Sequence, residues 1–531
     1  MKNTLPLIAY VCIMAFAPLV YTTARTISRT KLKDTTFLKT LVKDYLRTLP
    51  ICGLVLAPAL AFPEITRVYA VALHLLFAPL LFLEITHVYL FKKRIGLNTF
   101  YSLFVSNMRE TREFIAQNVT WLQLAIAIAA YLGPLPFVAS MPTPQFAYPL
   151  WQWMTVGIAV TISMPLIVNL IREPNSIKDG YVMNPYVNTI YHYFMFRCNY
   201  RKLQQLIAEH TAAPFSGISS RLPQSTKETY VIVIGESANA QHFGCYGYPR
   251  HTTEFTDRLG KSLIRVANVR SPFAQTIPSL EKVLSFADAE HEDYLYTKGS
   301  IIDYFNDAGF TTYWYSNQYA LDDTAITAIT SHAKVSKCFN FSGMKRFEKA
   351  GLDGDMLPEI KKTLENDDHR KVLFVHLIGS HSAYVNRYPD EFHHFEGQAP
   401  GRNLSPDKLQ FLNAYDDSIR YTDWLVAEIA KALESAGGVA SMLYFSDHGE
   451  DIFDSTDSRI LGHSQLANLP MTSIPFMVWL SQDLRKLRPD LDNAITANAY
   501  NLQEAIHTII DLASLDGPEF DKAKSIFRQK P

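Results

Sequence analysis

Thr229-Tyr-Val-Ile-Val-Ile-Gly-Glu-Ser237 is an apolar, β-branched run that breaks at Gly235 and hands over a carboxylate, Glu236. Such a run reads as a buried strand, and the Gly-Glu-Ser after it as the turn that leaves it. Ligands bind beyond the carboxyl ends of the strands in an open α/β sheet, so Glu236 stands where chemistry is done. Downstream the pattern alternates. Ser300–Ala308 reads as helix and Thr311–Tyr315 as strand; Asp355–Leu364 as helix and Val372–Leu377 as strand; Tyr415–Leu433 as a long helix. Ser441–Ser446 and Phe476–Leu480 are further strands. This alternation predicts a parallel sheet with helices on both faces. Glu236, His376 and Asp447-His448 all come at the carboxyl ends of apolar strands, so the fold is expected to gather them on one edge.

Upstream the composition changes. Five apolar segments, Leu5–Tyr21, Leu49–Phe62, Val68–Phe91, Trp121–Ala139 and Leu150–Ile171, are candidate membrane spans. A span takes roughly 20 apolar residues; the third and fifth reach this, and the second needs part of residues 43–48. The first has only Lys2 in its flank and no clear small-residue cleavage site, so it reads as a retained span. Glu84 and His87 interrupt the third, and are expected to lie near its end or face other helices. Asn98–Asn118 has helical spacing of apolar residues and reads as an amphipathic helix on the membrane surface. Tyr186–Leu206 mixes aromatic and basic residues, as interfacial segments do. The expected domains are 1–175 in the membrane, 176–226 as interfacial helix and linker, and 227–531 as the soluble catalytic part.

In a chain of 531 residues the net charge is −1, which excludes a strongly basic nucleic-acid binder. The five cysteines have no zinc-finger or redox spacing, and only Cys245 and Cys338 lie well inside the soluble part, leaving one disulfide open there.

Two carboxylates and several imidazoles converging on a strand edge suit a divalent transition metal. Zinc accepts His nitrogen and carboxylate oxygen, and open catalytic sites keep a position for substrate. A lone carboxylate after a strand is as readily a helix cap. Asp447-His448-Gly449-Glu450 followed by Gly462-His463 is harder to read that way.

Val-Ile-Gly-Glu-Ser (233–237), Cys-Tyr-Gly-Tyr-Pro-Arg-His-Thr-Thr (245–253), His-Leu-Ile-Gly-Ser-His (376–381), Arg-Tyr-Pro (387–389), Tyr-Asp-Asp-Ser-Ile-Arg-Tyr-Thr-Asp (415–423) and Ser-Asp-His-Gly-Glu (446–450) occur in this order. As a set they resemble the phosphoethanolamine transferases of Gram-negative bacteria. The resemblance implies an α-helical membrane domain of about five spans and a periplasmic α/β domain of the alkaline phosphatase/sulfatase type. It implies a metal-bound threonine nucleophile, which falls on Thr276. Glu236, Thr276, Asp447 and His448 would then hold zinc, as one ion or two. His376, His381 and His463 would contact the phosphoryl group, help the leaving group or hold the second ion. The implied donor is phosphatidylethanolamine and the acceptor a lipopolysaccharide, at core heptose or lipid A. Several relatives carry a Cys after the nucleophile. This chain has Leu-Glu-Lys-Val-Leu-Ser-Phe-Ala-Asp (280–288), which looks more like the CptA-type branch with its heptose acceptor.

Other residues carry weaker readings. Ser106 and Glu110 on the amphipathic helix are candidates for the lipid head group. Asn317-Gln318 is either a binding pair or a loop amide pair. Glu450 and Asp451 read as supporting or surface carboxylates, and His393 and His394 as solvated. The basic loops at Arg25–Lys43 and 92–94 conflict with the implied topology: with five spans, the positive-inside rule puts them and the soluble domain on the cytoplasmic side. A sulfatase reading is weaker, because Thr276-Ile-Pro-Ser-Leu280 lacks both a convertible Cys or Ser and the Arg. A phosphoglycerol transferase of the same superfamily, transfer to a periplasmic glucan, and a metal-binding protein without turnover are the alternatives.

Overall fold

The computed structural model describes residues 3–27, 35–91, 95–96, 99–100, 121–172, 188–198, 201, 214–288, 290–318, 325–339, 351–455, 468–493 and 499–528. The chain forms two compact units, Met1–Tyr200 and Arg201–Pro531.

The first unit is helical. Its main helices are Leu5–Ile27, Thr35–Ala61, Thr66–Phe91, Trp121–Leu132 and Pro149–Arg172. The second starts well before the expected Leu49, so Lys39 and Lys43 belong to a helix rather than a loop. The expected fourth span is broken after Leu132: Gly133-Pro134 interrupts it, and Leu135–Ala139 is a separate short helix, because proline cannot continue the bonded ladder. Among the described residues, Pro63–His87 is long and apolar enough to cross a membrane, while Leu5–Phe16 and Thr48–Ala61 are shorter apolar segments. Leu5, Val68, Leu76, Trp121, Trp153 and Ile158 are exposed, an apolar surface of the kind lipid covers. Helices Thr35–Ala61 and Pro149–Arg172 approach closely at Gly53, where a Cβ would meet the Ala159 carbonyl at 2.4 Å. Ser163 Oγ donates across to the Pro50 carbonyl at 3.0 Å. Glu84 and His87 both turn inward. Asn188 Nδ2 donates to Glu84 Oε2 at 3.3 Å, and Thr99 Oγ1 lies 3.0 Å from His87 Nε2. Of the expected amphipathic helix 98–118, residues 98 and 101–118 lie outside the described residues, Ser106 and Glu110 among them.

Among the described residues, the second unit is built on a seven-stranded sheet. From edge to edge its strands are Leu263–Arg265, Phe476–Leu480, Val439–Ser446, Glu228–Gly235, Arg370–His376, Thr311–Ser316 and Val335–Cys338. The opening strand is therefore the centre of the sheet. Its side chains alternate between two cores: Tyr230, Ile232 and Ile234 on one face, Val231 and Val233 on the other. Helices cover both faces. Leu425, Ile429 and Leu433 of Pro406–Ala436 seal one, and Ile301, Ile302 and Phe305 of Ile301–Asp307 the other. Phe476–Leu480 runs antiparallel to its neighbours, correcting the all-parallel expectation. The chain leaves Val439–Ser446 at Ser446 and enters this strand beside Phe445, at the same edge of the sheet, so the two strands run in opposite directions; parallel pairing would require a crossover back along the sheet.

Residues 214–222, expected within a linker, are packed on this unit. Ser219–Ser220 pairs with Leu515–Asp516, and Arg221 reaches the fully buried Asp511 at 2.8 Å. Cys245 and Cys338 are free thiols. Tyr246, beside Cys245, bonds the Phe476 carbonyl near one edge of the sheet, whereas Cys338 ends the opposite edge strand. At about 4.8 Å per strand that separation is far beyond the roughly 7 Å a disulfide spans.

Candidate active site

Register brings the site together. Gly235 pairs with Ser446, and Ile234 pairs with both Phe445 and His376. Glu236 and Asp447 are thus each the first residue beyond a paired strand end, on neighbouring strands, with His376 at the end of the strand on the other side.

Glu236, Asp447 and His448 are all buried, and their donor atoms lie within 4.8 Å of one another. His448 Nδ1 donates to the Gly449 carbonyl at 2.8 Å. This leaves Nε2 facing Glu236 Oε1 at 3.2 Å and Asp447 Oδ2 at 3.5 Å. Asp447 Oδ1 accepts from Ser237 N–H (3.1 Å) and His448 N–H (2.7 Å), while Oδ2 is buried with no hydrogen-bond partner. Thr276 opens the eight-residue helix Thr276–Val283, which Leu280 and Val283 pin into the core. Pro278 sits in its first turn, where a missing N–H costs no helical bond. Thr276 Oγ1 donates to Glu236 Oε2 at 3.0 Å and lies 3.5 Å from His448 Nε2. Ser271 Oγ donates to the Asp447 carbonyl at 2.5 Å and holds the segment leading to Thr276 against the site.

The electrostatics show what the cluster needs. Burial opposes charge on His448, but Asp447 and Glu236 outweigh it and push the imidazole up to about 10. Burial, together with the Glu236 charge, raises Asp447 above the usual carboxylate range. Burial also opposes charge on Glu236, yet the His448 hydrogen bond and charge, with a further contribution from His381, hold it well below. Two buried carboxylates are balanced here by a proton on an imidazole. A dication bound to Asp447 Oδ2, a Glu236 oxygen and His448 Nε2 fits this cluster, and the mixed oxygen and nitrogen donors suit zinc.

The remaining candidates separate. His376 is buried, its Nε2 has no hydrogen-bond partner, and burial pulls it down to about 4, so it is a neutral imidazole at physiological pH. His381 is half-buried in the loop after that strand, with Nδ1 at 3.5 Å from Ser382 Oγ. His463 lies outside the described residues. Glu450 is buried and accepts from Tyr384 OH at 2.8 Å. Asp451 is also buried; it accepts from Asp454 N–H at 2.9 Å and Asn468 Nδ2 at 2.6 Å. His393 is half-exposed but lies 3.1 Å from buried Asp417.

Gln318 and Asn317 are not a free binding pair. Gln318 Nε2 donates to Glu236 Oε2 and to the Leu377 carbonyl, both at 2.9 Å. Asn317 Nδ2 donates to Asp353 Oδ1 at 2.8 Å, and Asp353 in turn accepts from Ile378 N–H and Gly379 N–H. Together they fix Glu236 and the loop that carries His381. Sequence reasoning passed over Ser237 and Asp353. The signal for Ser237 is its place in the turn directly after the carboxylate; Asp353 has no local signal, since its partners are 25, 26 and 36 residues away.

The Sulfatase family profile matches residues 228–515, more than half of the chain. The chain is 25% identical over 499 residues to "Phosphoethanolamine transferase EptC" of Escherichia coli (strain K12), covering 89% of this chain and 84% of that one. It is 27% identical over 495 residues to "Phosphoethanolamine transferase CptA" of Salmonella typhimurium, with the same coverage. Among solved structures, the zinc complex of the C-terminal periplasmic domain of EptC from Escherichia coli superposes with a TM-score of 0.57 at 29% identity, covering 60% of this chain and 92% of that one. The integral membrane protein EptA from Neisseria meningitidis superposes with a TM-score of 0.71 at 17% identity, covering 98% and 97%, which shows a shared fold over both units. By its match over residues 228–515, the chain belongs to the Sulfatase family.

Proposed function

We propose that this chain is a zinc-dependent phosphoethanolamine transferase of the bacterial inner membrane, moving the group from phosphatidylethanolamine to a lipopolysaccharide acceptor, a core heptose or lipid A. The observation that carries the reading is the hydroxyl of Thr276, held 3.0 Å from Glu236 and 3.5 Å from His448 at the start of a helix. The similarity to named phosphoethanolamine transferases over 89% of the chain supports the transferred group. The likeness to the periplasmic domain of EptC supports a catalytic unit in the periplasm, against the charge bias of the loops; five spans belong to the same reading.

Glu236, Thr276, Asp447 and His448 would hold the ion. Zinc bound there would favour the threonine alkoxide and offset charge on the phosphoryl oxygens. In the first step Thr276 Oγ1 bonds to the donor phosphorus, the bond to the diacylglycerol oxygen breaks, and that oxygen takes up a proton. In the second, an oxygen of the acceptor, a sugar hydroxyl or a sugar phosphate, bonds to the phosphorus, a hydroxyl giving up its proton as it does so, and Thr276 Oγ1 leaves and takes up a proton. Dividing the transfer in two replaces one difficult displacement with two easier ones. Glu236 Oε2 orients the nucleophile by accepting its hydrogen bond, and the proton Thr276 gives up is balanced by the one the diacylglycerol oxygen takes up. His376, neutral and with Nε2 open, His381 and His463 are assigned to the phosphoryl and leaving groups. Ser106 and Glu110 are assigned to the donor head group.

The test is mass spectrometry of the full chain after incubation with zinc and phosphatidylethanolamine. Wild type is expected to carry a phosphoethanolamine adduct on the Thr276 peptide and to release diacylglycerol; Thr276→Ala is expected to do neither. Wild type without adduct or diacylglycerol would refute the reaction.

A further inference from the structure

The Tyr415-Asp-Asp-Ser-Ile-Arg-Tyr-Thr-Asp423 stretch lies on helix Pro406–Ala436, and most of it is tied to the scaffold. Asp416 accepts from Arg250 at 2.7 Å and Tyr248 at 2.8 Å and pairs with His242 at 2.8 Å. Asp417 accepts from the N–H groups of His394 and Phe395 at 3.0 Å, and Asp423 from Phe255 N–H at 2.8 Å. Tyr415 does something different. Its buried hydroxyl donates to the Ser237 carbonyl at 2.7 Å and accepts from Asn239 N–H at 2.9 Å. One phenol thus bridges the backbone on either side of Ala238, in the turn that follows Glu236.

That turn is under strain and under load. Ser237 has φ +56°, a conformation unfavourable for a residue with a Cβ, which persists where the surroundings hold it. In that conformation Ser237 N–H points at Asp447 Oδ1 (3.1 Å) and Ser237 Oγ donates to Glu236 Oε1 (2.7 Å). One residue therefore orients both carboxylates of the cluster. Ala238 N–H is tied to Ser446 Oγ at 2.9 Å, and Asn239 Nδ2 to the Glu450 carbonyl at 3.1 Å. The Tyr415 ring is locked in turn, edge-on to His242 and to Tyr384, each with centroids 5.1 Å apart.

We propose that Tyr415 is a positioning residue for metal binding: its hydroxyl holds Ser237 in the left-handed conformation that aims Glu236 and Asp447 at the ion. This rests on the metal-site reading above. Groups that orient metal ligands from behind typically account for 10–100-fold in affinity. A tyrosine, rather than any large apolar residue, stands at this core position because its hydroxyl bonds the turn.

The test is the zinc dissociation constant of the full chain in detergent micelles, measured by competition with a fluorescent chelator, together with the melting temperature of the zinc-free protein. Tyr415→Phe keeps the ring and removes the hydroxyl. It is expected to weaken zinc binding by about 10–100-fold. Tyr384→Phe is the control: it removes another buried phenol hydroxyl, bonded to Glu450 instead, and is expected to lower the melting temperature while keeping wild-type zinc affinity. Ser237→Ala cuts the link from the turn to Glu236 without touching the helix, and is expected to weaken zinc binding even if Tyr415→Phe does not fold. Wild-type affinity in a folded Tyr415→Phe or in Ser237→Ala overturns the inference, as does equal loss in Tyr384→Phe. Wild-type protein that binds no zinc overturns the metal-site reading itself and this inference with it.

Discussion

Gly379→Ala tests whether Glu236 is held by backbone packing. Gly379 has φ +49°, and a Cβ there would meet Glu236 O at 2.8 Å, Glu236 N at 2.9 Å and Glu236 Cβ at 3.2 Å. A left-handed conformation costs an alanine roughly 1–2 kcal/mol. Relieving the overlap by shifting packed backbone adds about 1–3 kcal/mol. The total is about 2–5 kcal/mol, or a fall of roughly 3–7 °C in melting temperature for a unit of this size. The shift falls on the residue that accepts from Thr276, and misplacing a reacting group by an ångström costs on the order of 100-fold in rate. Gly397→Ala is the matched control. Its φ is +70° and nothing lies within 4 Å of the added Cβ, so it bears only the conformational cost. Thermal unfolding and the rate of Thr276 adduct formation, measured for both variants, separate the two contributions. If Gly379→Ala is no less stable and no slower than Gly397→Ala, packing of this loop does not set the position of Glu236.

Two further outcomes follow from the same network. Gln318→Leu removes the donor shared by Glu236 Oε2 and the Leu377 carbonyl, and is expected to weaken zinc binding by about 10-fold or more in the chelator competition; unchanged binding would reduce Gln318 to a loop amide. His242 is fully buried. Burial opposes its charge, but Asp416 and Asp454 outweigh that and push it up to about 9, so the folded state binds its proton more tightly than the unfolded chain. Its stabilisation, at most about 3 kcal/mol, is fully present below pH ~6.5 and is lost as pH rises through about 9. The melting temperature of wild type is expected to fall over that window, and that of His242→Asn to fall less; parallel profiles would refute the assignment.

Much of the site was legible because strand ends are local events. An apolar run, a glycine and then a carboxylate announce themselves at Ile234-Gly235-Glu236, and Ser446-Asp447-His448 repeats the pattern without the glycine. Strand Phe476–Leu480 was expected at the residues where it lies, while helix Pro406–Ala436 began nine residues before the expected Tyr415. Its first turns are exposed and polar, so apolar periodicity was silent there, although Ser405 and Pro406 mark a helix start. The partners of Gln318, Asp353 and Tyr415 were not legible. An amide after a strand reads the same whether it faces solvent or a carboxylate, and a tyrosine at helical spacing reads as core.

The sequence by itself determined which residues end the strands and which faces of those strands are apolar, because side-chain period and turn chemistry act over a few neighbours. Only the tertiary structure decided that Glu228–Gly235 lies between Arg370–His376 and Val439–Ser446, in a register that pairs Gly235 with Ser446. It also decided that Phe476–Leu480 runs antiparallel and that the Tyr415 hydroxyl reaches Ser237 from 178 residues away. Pairings at that distance depend on how whole layers pack, and no short window of sequence carries that information.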